Sequence, residues 1–165
     1  MIAIAGSVTA KLWGVLTAEN GVPAAVAALS AEQAVELPSI NAEQIIAQNV
    51  APEIAERSTA SKYPLVYVYC SKIVNSLTEK FRTFSGNAQM VVEARVSQDR
   101  LDNLETNLQT YVDAITQVLE SNRGDWGDGV YFNGGYEITF GPVKHGGRNL
   151  LQSAKVAVVL EVSSD

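Results

Sequence analysis

The stretch SQDRLDNLETNLQTYVDAITQVLESNRG (residues 97–124) constrains the fold most, because Leu101, Leu104, Leu108, Val112, Ile115 and Leu119 recur at spacings of three and four. That period places them on one side of a single long helix, and the apolar side must be buried against another element. Ser97 or Asp99 can cap its start, and Asn122 to Gly124 can end it. The spacing predicts a rod about 33 Å long at 1.5 Å per residue. Asp102, Glu105, Asp113 and Glu120 form an acidic stripe on the opposite side.

Strand patterns flank this helix. YPLVYVYC (63–70) is β-branched and aromatic on both parities, which predicts a strand covered on both faces. NAQMVVEARVS (87–97) alternates, with Met90, Val92, Ala94 and Val96 facing the core and Gln89, Glu93 and Arg95 on a wet face. SAKVAVVLEVSS (153–164) sets Ala154, Val156, Val158, Leu160 and Val162 against Lys155 and Glu161. Between helix and last strand, VYF and YEITF are joined by Asn133-Gly134-Gly135, either a tight hairpin or one longer strand with a glycine bulge.

Residues 1–60 are alanine-rich and broken by glycine and proline. Val8, Leu12, Val15 and Leu16 share a helical stripe with Ser7 as its cap, and Asn20-Gly21 ends that helix. A second helix is expected from Pro23 to about Ala34, and a third in NAEQIIAQNV (41–50). The fold class is therefore α+β: a mostly antiparallel sheet packed against one long helix, with additional N-terminal helices. One domain over 1–165 is expected, with a helical part (1–60) and an α+β core (61–165).

Composition narrows function. Apolar residues make up 47% and charged residues 18%, which leaves apolar surface for partners. A net charge of -6 argues against gripping duplex DNA, whose binders neutralise phosphates with Lys and Arg. The single Cys70 forms no internal disulfide and is expected buried in its strand. The N-terminus lacks a basic leader region, Lys11 interrupts its apolar stretch, and no run approaches the roughly 18 apolar residues of a membrane span. A cytosolic chain without membrane contact is expected.

GPVKHGGRNLLQ (141–152) concentrates Lys144, His145 and Arg148 among glycines. In a phosphate cradle the glycines end in Gly-Lys-Ser/Thr and lead into a helix. Here the lysine precedes the glycine pair and a strand follows, so the order and the context are both wrong. His145 has no nucleophile motif to serve, and one His with one Cys makes no zinc site. Asp125 and Asp128 lack calcium-loop spacing. No catalytic residue, metal or cofactor is expected. The stretch reads as a turn, and Trp126 and Tyr131 as packing or interface aromatics rather than a sugar or base platform.

The run Phe81–Ser163 resembles the tail terminator (tail completion) and related neck proteins of tailed bacteriophages. The resemblance rests on the 87–97 strand, the SQDRLDNLETNLQTYVDAI helix, NRGDWGDGVYF and the glycine-rich loop before an alternating last strand. It covers about half of the chain. It implies a structural virion protein that assembles as a homo-oligomer, commonly a hexameric ring. Such a ring caps the tail tube, docks to the head-tail connector or stopper, and lets genomic DNA pass through its lumen without specific binding. Lys144, His145, Arg148, Trp126 and Tyr131 are then expected to contact partners or neighbouring subunits, with Arg148 foremost. Another neck component or a tail-tube protein stays open, as does a small enzyme or ligand-binding α+β domain.

Overall fold

The computed structural model describes residues 3–34, 36–55, 62–146 and 149–165. In chain order come α1 (Ile4–Thr17), α2 (Val22–Gln33), a 3-10 turn (Ala42–Gln44), β1 (Ile45–Ile46) and the one-turn helix α3 (Pro52–Ala55). Then follow β2 (Leu65–Asn75), β3 (Phe84–Gln98), α4 (Leu104–Ser121), β4 (Gly124–Gly127), β5 (Val130–Phe140), β6 (Lys144–Gly146) and β7 (Asn149–Ser164). The architecture is α+β. Its sheet runs β1-β2-β3-β7-β5-β4 with β6 paired to β7, and only the β1–β2 pair is parallel.

Alternation decides which side of the sheet is dry. Met90, Val92, Ala94 and Val96 of β3 and Ala154, Val156, Val158, Leu160 and Val162 of β7 are all buried, as their parity requires. They share one apolar cluster with Val8, Leu12 and Leu16 of α1, Val22, Val26 and Leu29 of α2, and Leu104, Leu108, Val112, Ile115 and Leu119 of α4. Three helices thus build the helical side of the core together.

Several expectations are corrected. Leu101 lies outside α4 and is exposed, because Asn103 adopts a left-handed conformation (φ 61°) and helical backbone starts only at Leu104. Ser97 remains in β3 opposite Leu151, and Gln98 Nε2 donates to the Arg100 and Asp102 carbonyls, so neither Ser97 nor Asp99 caps the helix. The helix is 18 residues, about 27 Å. Ser7 sits inside α1, which begins at Ile4. The third N-terminal helix is absent: Asn41 and Gln44 close a capping box around a 3-10 turn, after which Ile45 and Ile46 pair with Val66 and Tyr67. β-branched isoleucines gain more as an added strand, where Ile45 is buried. Cys70 is only half-buried, at the point where the covered part of β2 ends.

The glycine-rich segment resolves in favour of the bulge. β5 is one strand with a register shift between Phe132 and Tyr136. Gly134 has φ +99°, and a Cβ there would run into the Arg123 side chain. The tight turn lies earlier, at Asp128-Gly129, where φ values of 51° and 77° match the left-handed pair that a two-residue hairpin needs. Lys11 fastens α1 to this turn, with Nζ 3.0 Å from Asp128 and donating to the Trp126 carbonyl at 3.1 Å.

The segment Ile4–Gln33 contains an 18-residue window with mean hydropathy 1.2, apolar enough by composition for a membrane span. Its helices have 14 and 12 residues and are separated at 18–21. Each is shorter than the about 20 residues a span requires, and both contribute buried residues to the core.

Candidate assembly interface

The face of the sheet away from the helices differs from its sequence reading. Alternation places Glu93 and Arg95 in water, yet they are 4% and 2% exposed. The segment 45–55 covers them: Ile46, Val50 and Ala55 pack with Leu65 and Tyr67 in a second apolar cluster. Inside it, Arg95 Nε donates to Glu93 Oε2 at 2.5 Å, and the guanidinium lies 4.2 Å from the Tyr67 ring centroid. Arg95 Nη2 donates to the Val50 carbonyl. Tyr69 donates to Glu93 Oε1 at 3.1 Å, and Lys155 reaches the same oxygen at 3.8 Å. Burial, then the charge and hydrogen bond of Glu93, push the Tyr69 phenol up to about 12.

Among the described residues, the sheet ends in two open edges. β1 pairs only with Val66 and Tyr67, so residues 68–75 of β2 have a strand on one side alone. On the far side, β4 pairs only with Val130–Phe132, which leaves 133–140 of β5 open over the same length. Half of the β2 stretch and most of the β5 stretch are exposed, with Ile73 on one and Tyr136 and Phe140 on the other. Unpaired backbone donors and acceptors in a row are a template for another strand.

The expected contact residues separate into two places. Lys144 and His145 are exposed on β6, opposite Leu151 and Leu150 of β7. The stretch expected as a turn is therefore largely a strand pair, β6 with the start of β7. Arg148 lies outside the described residues. Tyr131 projects beside Glu161, ten residues further along β7, about 33 Å away. Trp126 is half-buried against the core: its Nε1 donates to the Asn122 carbonyl at 2.7 Å and its ring centroid lies 5.5 Å from that of Phe132.

Sequence reasoning missed the β2–β3 turn. Phe81 is fully exposed and Leu77 61% exposed, both with positive φ. The turn is nevertheless tied down: the Asn75 Oδ1 accepts from the Leu77 and Ser85 amides, and Arg82 pairs with Asp165 at 2.6 Å. The available signal was a lone phenylalanine in a polar turn, SLTEKFRT. Among the described residues, no group of three or more His, Cys, Asp or Glu stands close enough to hold a metal. Compared with known proteins, the chain matches no family model and no curated protein sequence.

Proposed function

We propose that the chain is a structural subunit of a tailed-phage virion, a tail terminator that closes into a ring, commonly a hexamer, on the head-proximal end of the tail tube. The two open sheet edges carry this reading. β2 and β5 run antiparallel within one subunit, since three antiparallel pairings separate them. A rotation about an axis along the strands keeps each strand's sense, so β5 of one copy meets β2 of the next in antiparallel register. Such a contact is heterologous and closes when the rotation divides a full turn. The joint uses backbone hydrogen bonds at residues 68–75 and 133–140 and requires no enzyme chemistry. Exposed Phe81 and Leu77 at one end, and Lys144 and His145 toward the other, are contacts for the tube and for the connector or stopper. The net charge of -6 suits a lumen through which DNA passes without being gripped.

Light scattering of the purified protein, alone and with tail tubes, tests this together with negative-stain images. A closed ring with a mass that is a multiple of 17.7 kDa is the expected result. Ile73→Lys, which places a charge on the β2 edge, should abolish the ring while circular dichroism stays unchanged. A persistent monomer that ignores tubes sinks the proposal; a ring that survives Ile73→Lys sinks the edge joint.

A further inference from the structure

At the end of the outer face opposite the Glu93–Arg95 pair lies a recess of about 500 Å³, walled by the start of the β2–β3 turn on one side and by β5 on the other. On its floor Asn87 of β3, Glu161 of β7 and Tyr131 of β5 stand directly opposite one another across three strands. Side chains so placed start about 5 Å apart. The Asn87 Oδ1 is buried and has no hydrogen-bond partner among the described residues, a costly state for an acceptor unless something fills the place. The charged side chains lining the recess are Glu79 and Glu161, with no Lys, Arg or His among its described lining residues. Glu79 is already engaged: its Oε2 accepts from Ser163 Oγ at 2.6 Å and lies 3.5 Å from Arg82 Nε. Glu161 forms no ion pair among the described residues.

We propose that this recess binds a guanidinium group. The Glu161 carboxylate and the unpartnered Asn87 oxygen accept its N–H groups, and the Tyr131 ring, 46% exposed, supplies a face for it to stack on. The molecule carries a filled version of the same arrangement. In the covered cluster Glu93 accepts from Arg95, the guanidinium lies over Tyr67, and a neutral carbonyl takes a further N–H. A planar cation that stacks while presenting donors at its rim suits both places better than a lysine ammonium. The guanidinium comes either from an arginine of a second copy or from another molecule. The proposal does not rest on ring assembly.

Amide shifts of the ¹⁵N-labelled full chain, titrated with methylguanidinium chloride, test it. The controls are methylurea, a neutral molecule of the same shape, and sodium chloride at matched ionic strength. Saturable shifts at Asn87, Tyr131 and Glu161 are expected with methylguanidinium and not with either control. Glu161→Gln should weaken binding about tenfold or more, and Tyr131→Leu roughly threefold, with the rest of the spectrum unmoved. Shifts that are linear, shared with methylurea, or unaltered in both folded variants overturn the proposal. A dilution series separates the sources. Concentration-dependent shifts at the same amides, competed by methylguanidinium, assign the group to a second copy; methylguanidinium binding without concentration dependence assigns it to another molecule.

Discussion

The two ends of the outer face hold nearly the same chemistry in opposite conditions. At one end a carboxylate, Glu93, sits beside Tyr67 and Tyr69 of the neighbouring strand β2 and is matched by the chain's own Arg95 under a cover built from residues 45–55. At the other, Glu161 sits beside Tyr131 and Asn87, and among the described residues neither a cation nor a covering segment meets it. The difference teaches how a strand face becomes core or surface. Polar residues at alternating positions fix only the parity; a segment arriving from elsewhere decides whether they are dry. Once dry, a charge must be met from within, because isolated charges are too costly to bury. Where no segment arrives, the charge stays available to a partner.

Removing Arg95 breaks this comparison most severely. Arg95→Ala leaves the covered Glu93 with only the Tyr69 hydroxyl and the more distant, exposed Lys155, and deprives the Val50 carbonyl of its donor, so a loss of about 3 kcal/mol is expected in urea unfolding. The cover formed by 45–55 should loosen with it, read as faster hydrogen exchange at Ile45 and Ile46. Replacing both partners, Glu93→Leu with Arg95→Met, should recover roughly half of the loss, since apolar residues of similar volume carry no unmet charge. If Arg95→Ala costs no more than an ordinary surface change, the pair is not the element that holds the cover.

Alkaline pH acts on the same end more gently. Burial, then the charge and hydrogen bond of Glu93, raise the Tyr69 phenol from 10 to about 12, and burial raises that of Tyr111, whose hydroxyl donates to the Pro38 carbonyl at 2.6 Å. The folded chain therefore holds phenolic protons that the unfolded chain releases. Their contribution to stability is fully present below pH 10 and is lost as pH rises from 10 through about 12. Urea midpoints should fall between about pH 9 and about pH 11, and less steeply in Tyr69→Phe. Tyr69 is partly open to solvent, so its share is modest. Equal slopes in the two proteins would mean that the Glu93 environment does not reach the phenol.

Periodicity made most of this fold legible. The inward parity of β3 and β7 was readable residue by residue, as was the α1 stripe through Val8, Leu12 and Leu16, because burial imposes a period on the sequence. Leu101 continues the helical stripe by spacing yet lies outside the helix, because spacing carries no trace of the left-handed turn at Asn103. The alternation of β3 puts Glu93 and Arg95 on the wet side because it carries no sign of their cover, 45–55, which has no period of its own and reaches the sheet from far along the chain. The grouping of Asn87, Tyr131 and Glu161 depends on registers across three strands, which no local pattern encodes. The open edges belong to the same class: strand order follows from long-range pairing and appears only when the sheet is assembled.

The smallest expected effect discriminates best between the two ends. Glu161→Gln removes a carboxylate that also stands beside a tyrosine, yet is exposed and has no ion-pair partner among the described residues. Its stability should therefore change by no more than about 0.5 kcal/mol in urea unfolding. Glu93→Gln, by contrast, strips the charge from a buried pair and leaves Arg95 as the uncompensated ion, so it should cost several times as much. A large loss from Glu161→Gln would mean that this carboxylate already serves the fold, and the contrast between a filled end and an open one would fail. A near-neutral result keeps Glu161 free for a ligand, because a residue that contributes little to stability can be occupied and released without disturbing the sheet beneath it.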